Sequence, residues 1–196
     1  MKRFLAGMAV VMGLGVGAGE AQAFSATYDQ TVTQGSLVMK GKVAVKDEMF
    51  RMEATVEGQT MVSLRNASGT YTYLPNEHMA MKAPKLNLSQ QPIQHADRYQ
   101  DYLKERHARK IGSETIDGHP CNVYQFTDPS ATGTTTAWVW MEKSFPVKVE
   151  VDGPEGKAVV EMSNIQLGAA IPDDVFQVPP GVPVMDVGSM MNMQPR

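Results

Sequence analysis

Apolar and polar residues alternate in short runs along the chain between residues 24 and 83. In residues 37–46 the apolar side chains alternate with Lys40, Lys42 and Lys46, and a similar alternation follows in residues 50–57. A period of two predicts strands with one buried and one solvated face. Turn dipeptides such as Asp47-Glu48 and Pro75-Asn76 separate the runs. The pattern predicts about six sequential antiparallel strands, a meander long enough to curl.

A second group of strands is predicted between residues 110 and 167. The dipeptide Asp117-Gly118 favours positive φ, so the strand ending at Ile116 should fold back as a hairpin through Tyr124. Further strand-like runs cover residues 134–141, 145–151 and 157–167.

A helix is predicted between the two strand groups. Residues 96–109 place Tyr99 and Leu103 at i and i+4, with charged residues on another side. So short a helix is not stable alone, and it must pack its apolar side against the sheet.

The first 23 residues have the pattern of a secretory signal peptide. Met1-Lys2-Arg3 is basic, residues 4–17 are uncharged and apolar, and Ala21-Gln22-Ala23 is a small-residue cleavage pattern. We predict cleavage before Phe24 and release into the periplasm. The alternative of an uncleaved anchor is disfavoured by four glycines in the apolar run. The absence of cysteine at the cleavage point excludes a lipid anchor there.

Residues 24–180 are long enough for one domain with its own core. Residues 181–196 are rich in Gly, Pro and Met and lack a period, which predicts a flexible tail. The chain carries 18 Lys and Arg against 21 Asp and Glu, a net charge of −3. This weakly acidic balance argues against nucleic acid as a partner. Cys121 is the single cysteine, so no intramolecular disulfide can form, and its strand position predicts a small buried hydrophobe.

No catalytic constellation is evident in the sequence. The four histidines lie in different predicted elements, without metalloprotease spacing, and no nucleophile elbow, phosphate loop or dinucleotide fingerprint is present. The pairs Asp47-Glu48 and Asp173-Asp174 are typical of solvated turns. We therefore predict a protein that is not an enzyme, without a cofactor or a metal site. Copper binding by methionines near His78 and in the tail is a less favoured alternative.

The order of the predicted elements and several motifs resemble a known group of exported proteins. The chain is similar to the superfamily of the periplasmic lipoprotein carrier LolA, in particular its small relatives of unassigned function, through residues 111–124, Trp138-Val139-Trp140, Phe145-Pro146-Val147-Lys148 and residues 174–181. The resemblance implies an α+β, mainly antiparallel fold: a curved half-barrel, here of about 10–11 strands, with a short helical insertion covering its concave face. It also implies an apolar cavity for acyl chains and a role in outer-membrane lipoprotein sorting or lipid handling.

The number and positions of the methionines are consistent with an apolar cavity for acyl chains. The chain contains 15 Met, several at alternating strand positions, and the flexible thioether suits a surface that adapts to irregular ligands. Ordinary core packing is the competing interpretation. We assign the ligand-binding wall to Met39, Met52, Met79, Met81, Tyr99, Leu103, Trp138 and Trp140.

The two tryptophans share one face of their strand and leave two possibilities open. If that face is concave, the indoles line the cavity; if it is convex, they form a docking patch for a protein. The function predicted from the sequence is non-enzymatic binding of a lipid or of lipoprotein acyl chains. The alternative is an envelope protein-interaction module with a filled cavity and a protein partner. The mature chain is predicted to lack a transmembrane segment.

Overall fold

The structure is a computed structural model that describes residues 24–56, 58–83, 99–127, 133–154 and 156–188. The predicted signal peptide, the start of the predicted helix at Ala96 and the last eight residues lie outside the described residues.

One large sheet dominates the described chain. Its strands in chain order are β1 (Ser25–Gln34), β2 (Leu37–Lys46), β3 (Met49–Val56), β4 (Gln59–Asn66), β5 (Gly69–Leu74), β6 (Met79–Lys82), β7 (Arg109–Ile116), β8 (His119–Thr127), β9 (Thr134–Trp140), β10 (Pro146–Gly153), β11 (Gly156–Leu167) and β12 (Val184–Asp186). An α-helix, α1 (Tyr99–Glu105), precedes β7, and short 3-10 turns occupy Pro75–Glu77 and Asp173–Phe176.

The strands follow the order β12-β6-β5-β4-β3-β2-β1-β11-β10-β9-β8-β7. Two antiparallel meanders, β1–β6 and β7–β11, are therefore joined where β1 pairs with β11. Among the strands of the described residues, only β12 is parallel to its neighbour, β6. The sheet is open, with β7 and β12 at its edges, which confirms the predicted α+β half-barrel. The twelfth strand lies beyond the predicted 10–11.

The hairpin predicted at Asp117-Gly118 is present. Both residues have positive φ, 46° and 80°, and Ile116 pairs directly with His119 across the turn. Two consecutive residues in the left-handed region match the twist of the flanking strands, which is why this dipeptide is effective in hairpins.

We call the side of the sheet that carries α1 the inner face and the opposite side the outer face. The inner face of β1–β3 and β11 is almost entirely apolar, and most of its side chains are buried. Phe145, from the β9–β10 connection, is fully buried there and packs edge-on against Tyr28 with ring centroids 5.6 Å apart. The alternation predicted for β2 and β3 thus directs one set of side chains into the core.

Helix α1 covers the inner face of β8–β10. Its buried residues Tyr99, Tyr102 and Leu103 pack against an apolar group formed by Phe126, Ala137, Val139 and Val149. This arrangement confirms the predicted docking of the helix on the sheet.

The helix ends earlier than predicted. His107 adopts a left-handed conformation (φ 50°), its N–H donates to the Lys104 carbonyl, and the Ala108 N–H donates to the Leu103 carbonyl. This is a Schellman ending with histidine in the place usually taken by glycine. The predicted extension to Arg109 is therefore wrong, and Arg109 begins β7 instead.

The end of the chain crosses the outer face. The turn Asp173–Phe176 buries Phe176 completely, and the Asn66 side-chain amide donates to the Phe176 carbonyl at 2.8 Å. Lys46 binds the Ile171 carbonyl and forms an ion pair with Asp173. The segment then buries Val182 and forms β12. Of the expected flexible tail, residues 181–196, only residues 181–188 are described.

We expect Phe176→Ala to lower the free energy of unfolding by about 3–5 kcal/mol, the usual cost of removing a buried phenyl ring. Urea denaturation followed by tryptophan fluorescence measures this change. The exposed neighbour Asp174 provides a control, and Asp174→Ala should change stability by about 0.5 kcal/mol or less. Equal stability of Phe176→Ala and the parent would show that the crossing segment is not part of the core.

Candidate functional site

One part of the inner face is apolar but only half-buried. It lies on β4, β5, β6 and β12, and we call it the methionine strip: Met61, Leu74, Met79, Met81 and Met185. The register places Leu74 opposite Met79 and Met81 opposite Met185. The first four residues have intermediate exposure, and Met185 is 41% exposed. The strip is therefore apolar surface that the described chain does not cover fully.

The methionine strip continues the buried part of the inner face. Ala54 pairs with Met61, and Met52 pairs with Ser63, on the boundary between β3 and β4. Beyond this boundary, Met39 and Met52 are core residues that are 8% and 4% exposed. The four predicted methionines thus share one face, two in the core and two in the half-open strip.

The predicted residues on α1 also belong to the inner face. Tyr99 and Leu103 are 2% and 3% exposed. The Tyr99 and Tyr102 rings lie 5.5 Å apart, and Tyr102 meets Phe126 edge-on at 5.7 Å. The space beneath this helix is filled by aromatic side chains, so an opening there would require the helix to move.

The two tryptophans lie on the outer face, opposite the other six predicted residues. Trp138 pairs with Val123 and Trp140 pairs with Cys121. The Trp138 indole N–H donates to a Glu114 carboxylate oxygen at 2.6 Å, and the Lys148 ammonium lies 4.7 Å from its ring centroid. This face corresponds to the convex alternative of the sequence analysis, and docking of a protein on it stays a prediction.

Neighbouring side chains already engage the outer tryptophans. The Trp140 ring stacks against His119 with centroids 4.1 Å apart. Lys148 and Lys157 both pair with Glu150. Burial alone would raise the pKa of Glu150, but its hydrogen bonds with the two lysines lower it overall. These contacts form a continuous polar and aromatic layer over β8–β11.

Two surface clefts lie away from the methionine strip. One has a volume of about 320 Å³ and is lined by Phe24, Ser25, Lys46 and residues 169–172. The other has a volume of about 410 Å³ at the end of α1 and is lined by Arg106, His107, Arg109, Gln125, Phe126, Thr127 and Thr134. Its lining is mostly polar, so it is the less suitable of the two for an apolar ligand.

Within the described ranges, no group of three His, Cys, Asp or Glu residues is arranged to hold a metal ion. His78 adopts a left-handed conformation in the turn before β6 and is exposed. Met79 and Met81 follow on the inner face. In the same described ranges, no helix has the length and apolar character needed to cross a membrane.

Cys121 is completely buried beneath the outer layer, and its Sγ lies 3.2 Å from the His119 carbonyl oxygen. Burial is the main cause that raises the pKa of this thiol; a backbone hydrogen bond with Ile116 opposes the shift, and the Glu114 carboxylate adds to it. The sequence-based description of Cys121 as a small buried hydrophobe agrees with this environment.

Sequence reasoning did not assign Met61, Leu74 or Met185 to the ligand-binding wall. The alternation in β4 and β5 is the signal that could have identified the first two. Met185 could not have been found in this way, because its position depends on the parallel pairing of β12 with β6.

The fold and the site define a class: an open antiparallel half-barrel with an apolar inner face that is partly covered by a helix. Residues 24–144 match the model of a family described as a domain of unknown function, DUF4412. The chain belongs to this family. A comparison with curated proteins gave no match.

Solved structures support the fold. An uncharacterized conserved protein from Thermus thermophilus is similar at 10% identity with a TM-score of 0.61, over 83% of this chain and 90% of that chain. A chain in the MucA/MucB complex of Pseudomonas aeruginosa is similar at 16% identity with a TM-score of 0.53, over 80% of this chain and 56% of that chain. At these identities the similarity concerns the fold alone.

A LolA superfamily protein from Nitrosomonas europaea also matches, at 16% identity and a TM-score of 0.37, over 80% of this chain and 90% of that chain. So low a score adds nothing to the argument. The half-barrel fold rests on the architecture of the sheet and on the helix that covers its inner face.

We expect native Cys121 to react slowly with Ellman's reagent at pH 8, because its thiol is buried and its raised pKa keeps it protonated. Titration in urea should release one reactive thiol per chain and serves as the control. Rapid stoichiometric labelling of the folded protein would contradict the buried position.

Proposed function

We propose that this protein is a non-enzymatic binding protein for an apolar ligand, a lipid or the acyl part of a lipoprotein, and that it acts in the periplasm after cleavage before Phe24. The observation that carries the proposal is the half-exposed methionine strip, which extends from a buried apolar core on the same face.

The energetic basis of such binding is removal of apolar surface from water, at about 25 cal/mol for each Å². Methionine side chains are unbranched and polarizable, so they can follow a ligand of irregular shape without a strict fit. The resemblance of the sequence to the LolA superfamily supports the same class of ligand. Together these features favour a carrier in which protein side chains replace water around an acyl chain.

Helix α1 and the strip have different roles in this proposal. The helix end of the inner face is closed by Tyr99, Tyr102 and Leu103. The strip, on β4, β5, β6 and β12, is the open end. The ligand therefore enters at the strip, and the packed helix end limits how far it can extend.

We expect the double substitution Met79→Glu and Met81→Glu to weaken binding of a fluorescent apolar probe, N-phenyl-1-naphthylamine, by at least about tenfold. A carboxylate placed against a bound hydrocarbon must lose water without gaining a partner. Fluorescence titration of the purified periplasmic protein measures the affinity.

The matched control is Met141→Glu, which changes an exposed methionine in the turn after β9 and should leave probe affinity unchanged. Native mass spectrometry of the parent protein should show a co-purified lipid, and the intact mass should correspond to a chain beginning at Phe24. Equal probe affinities for the double variant and the control would show that the strip is not the binding surface.

A second candidate function is a protein-interaction module, and the edge strand β7 favours it. Most of β7 is exposed, and Ile111, at a break in its register with β8, is 53% exposed. An open strand edge can pair with an extended segment of another protein. The fold is also similar to that of a chain in the MucA/MucB complex.

A photo-crosslinking amino acid at Ile111 distinguishes this candidate. If β7 binds a protein, irradiation of cells should produce a discrete adduct from position 111. The same amino acid at Lys40, an exposed position on the outer face of β2, should produce none. Absence of an adduct at both positions would rule out this edge as a stable interface.

A further inference from the structure

Two polar side chains are buried next to each other on the inner face of β1. Tyr28 and Gln30 are 3% and 4% exposed. Among the described residues, neither the Tyr28 hydroxyl nor the Gln30 side-chain nitrogen has a hydrogen-bond partner. They are two positions apart on one strand, so their Cα atoms lie roughly 6.6 Å from each other. An unpaired buried polar group typically costs about 1–3 kcal/mol, and two adjacent ones on a candidate binding face call for a functional explanation.

Both unpaired atoms are hydrogen-bond donors. The amide nitrogen of glutamine donates two hydrogen bonds and accepts none. Burial raises the pKa of the Tyr28 hydroxyl, so this group keeps its proton. The two side chains therefore match a ligand atom that accepts hydrogen bonds.

The pair is connected to the methionine strip through the sheet. Gln30 pairs with Gly41, Gly41 with Ala54, and Ala54 with Met61. Tyr28 begins the adjacent row, which passes through Val43 and Met52, then through the polar residues Ser63 and Thr72, and reaches Met81 on β6. Two neighbouring rows of the inner face thus run from the polar pair to the strip.

Small residues follow Gln30 along its row across the sheet. Gly41 has no side chain and Ala54 has one methyl group, so the sheet surface between Gln30 and Met61 is lower than its surroundings. The terminal methyl of Met52 lies over Gly41, 3.1 Å from the position that a Cβ would occupy. A methionine side chain has three rotatable bonds, and rotation of Met52 would expose the row to a ligand.

The inner face around the pair carries no charge. The inner-facing residues of β1, β2, β3 and β11 that surround it are apolar or neutral: Ala26, Val32, Met39, Val43, Val45, Phe50, Met52, Ala54, Val160 and Met162. A carboxylate or phosphate placed there would lose its hydration without a cation to balance it. A neutral carbonyl group would gain both donors without that cost.

We propose that Tyr28 and Gln30 bind the ester carbonyl of an acyl lipid whose hydrocarbon chain lies along the Gln30 row and reaches the methionine strip. This inference rests on the proposed binding of an apolar ligand and specifies its chemistry: a neutral acyl ester, rather than a free fatty acid or a hydrocarbon.

The test compares three probes of similar length, methyl laurate, tetradecane and laurate, as competitors of N-phenyl-1-naphthylamine at pH 7.5. The parent protein should bind methyl laurate about five- to tenfold more tightly than tetradecane, the gain expected from one or two neutral hydrogen bonds. Laurate should bind more weakly than its methyl ester.

Tyr28→Phe and Gln30→Leu remove the donors while keeping the apolar volume. Each substitution should reduce the ratio of methyl laurate affinity to tetradecane affinity. The two together should bring this ratio close to one, with the tetradecane affinity unchanged. Because both groups are unpaired without ligand, neither substitution should destabilise the free protein, as urea denaturation can verify. Thr135→Val is the matched control: Thr135 is also buried with an unpaired hydroxyl on the inner face, but on β9, three strands from β1.

The outcomes separate this inference from the function on which it rests. If tetradecane and methyl laurate bind equally to the parent, or if the ester preference persists without both donors, the ester site is wrong and apolar binding stands. Tighter binding of laurate than of its methyl ester would contradict the proposal that the ligand is neutral. If none of the three displaces the probe, both proposals fall.

Discussion

The structure depends on covering apolar surface on both faces of one open sheet. A sheet that is covered on one side only exposes its other face to water, and twelve strands present too much apolar surface for that to be stable. The inner face is covered by its own curvature, by Phe145 and by α1. On the outer face, the chain end that carries Phe176 crosses β3 and β4, while Val178 packs against Val62 and Leu64. On the inner face, the described chain covers the methionine strip only in part, and this is why it is the candidate site.

The outer layer of tryptophans shows a different way of covering a sheet. Trp138 and Trp140 are only half-buried, but each is held by a charged or aromatic neighbour: Lys148 extends over the Trp138 ring, and His119 stacks on Trp140. Such a layer shields Cys121 and Val123 from water without a second sheet or helix. It gives the indoles a structural role on the convex side, distinct from the ligand chemistry proposed for the concave side.

Features set by neighbouring residues were predictable, whereas those set by distant pairings were not. The alternation in β2 and β3 and the Asp117-Gly118 turn depend on local sequence, and both were predicted correctly. The helix end was missed because His107 adopts a conformation that glycine usually supplies. β12 has no local signal, and its place is determined by the edge of β6. The face occupied by the tryptophans likewise depended on the curvature of the whole sheet. That the Tyr28 hydroxyl and the Gln30 side-chain nitrogen lack hydrogen-bond partners among the described residues can be seen only when every neighbour is in position.

The junction of the two meanders has a consequence for how the protein is made. β1 leads the described chain, yet one of its two edges is satisfied only by β11, in which Met162 meets Gln30. A polypeptide made from its N-terminus must therefore keep that edge unpaired until β11 has been synthesised. Contacts so distant in sequence slow folding, and an exposed strand edge invites pairing with other chains. The pairing of β1 with β11 is therefore a late step that closes the junction between the two meanders.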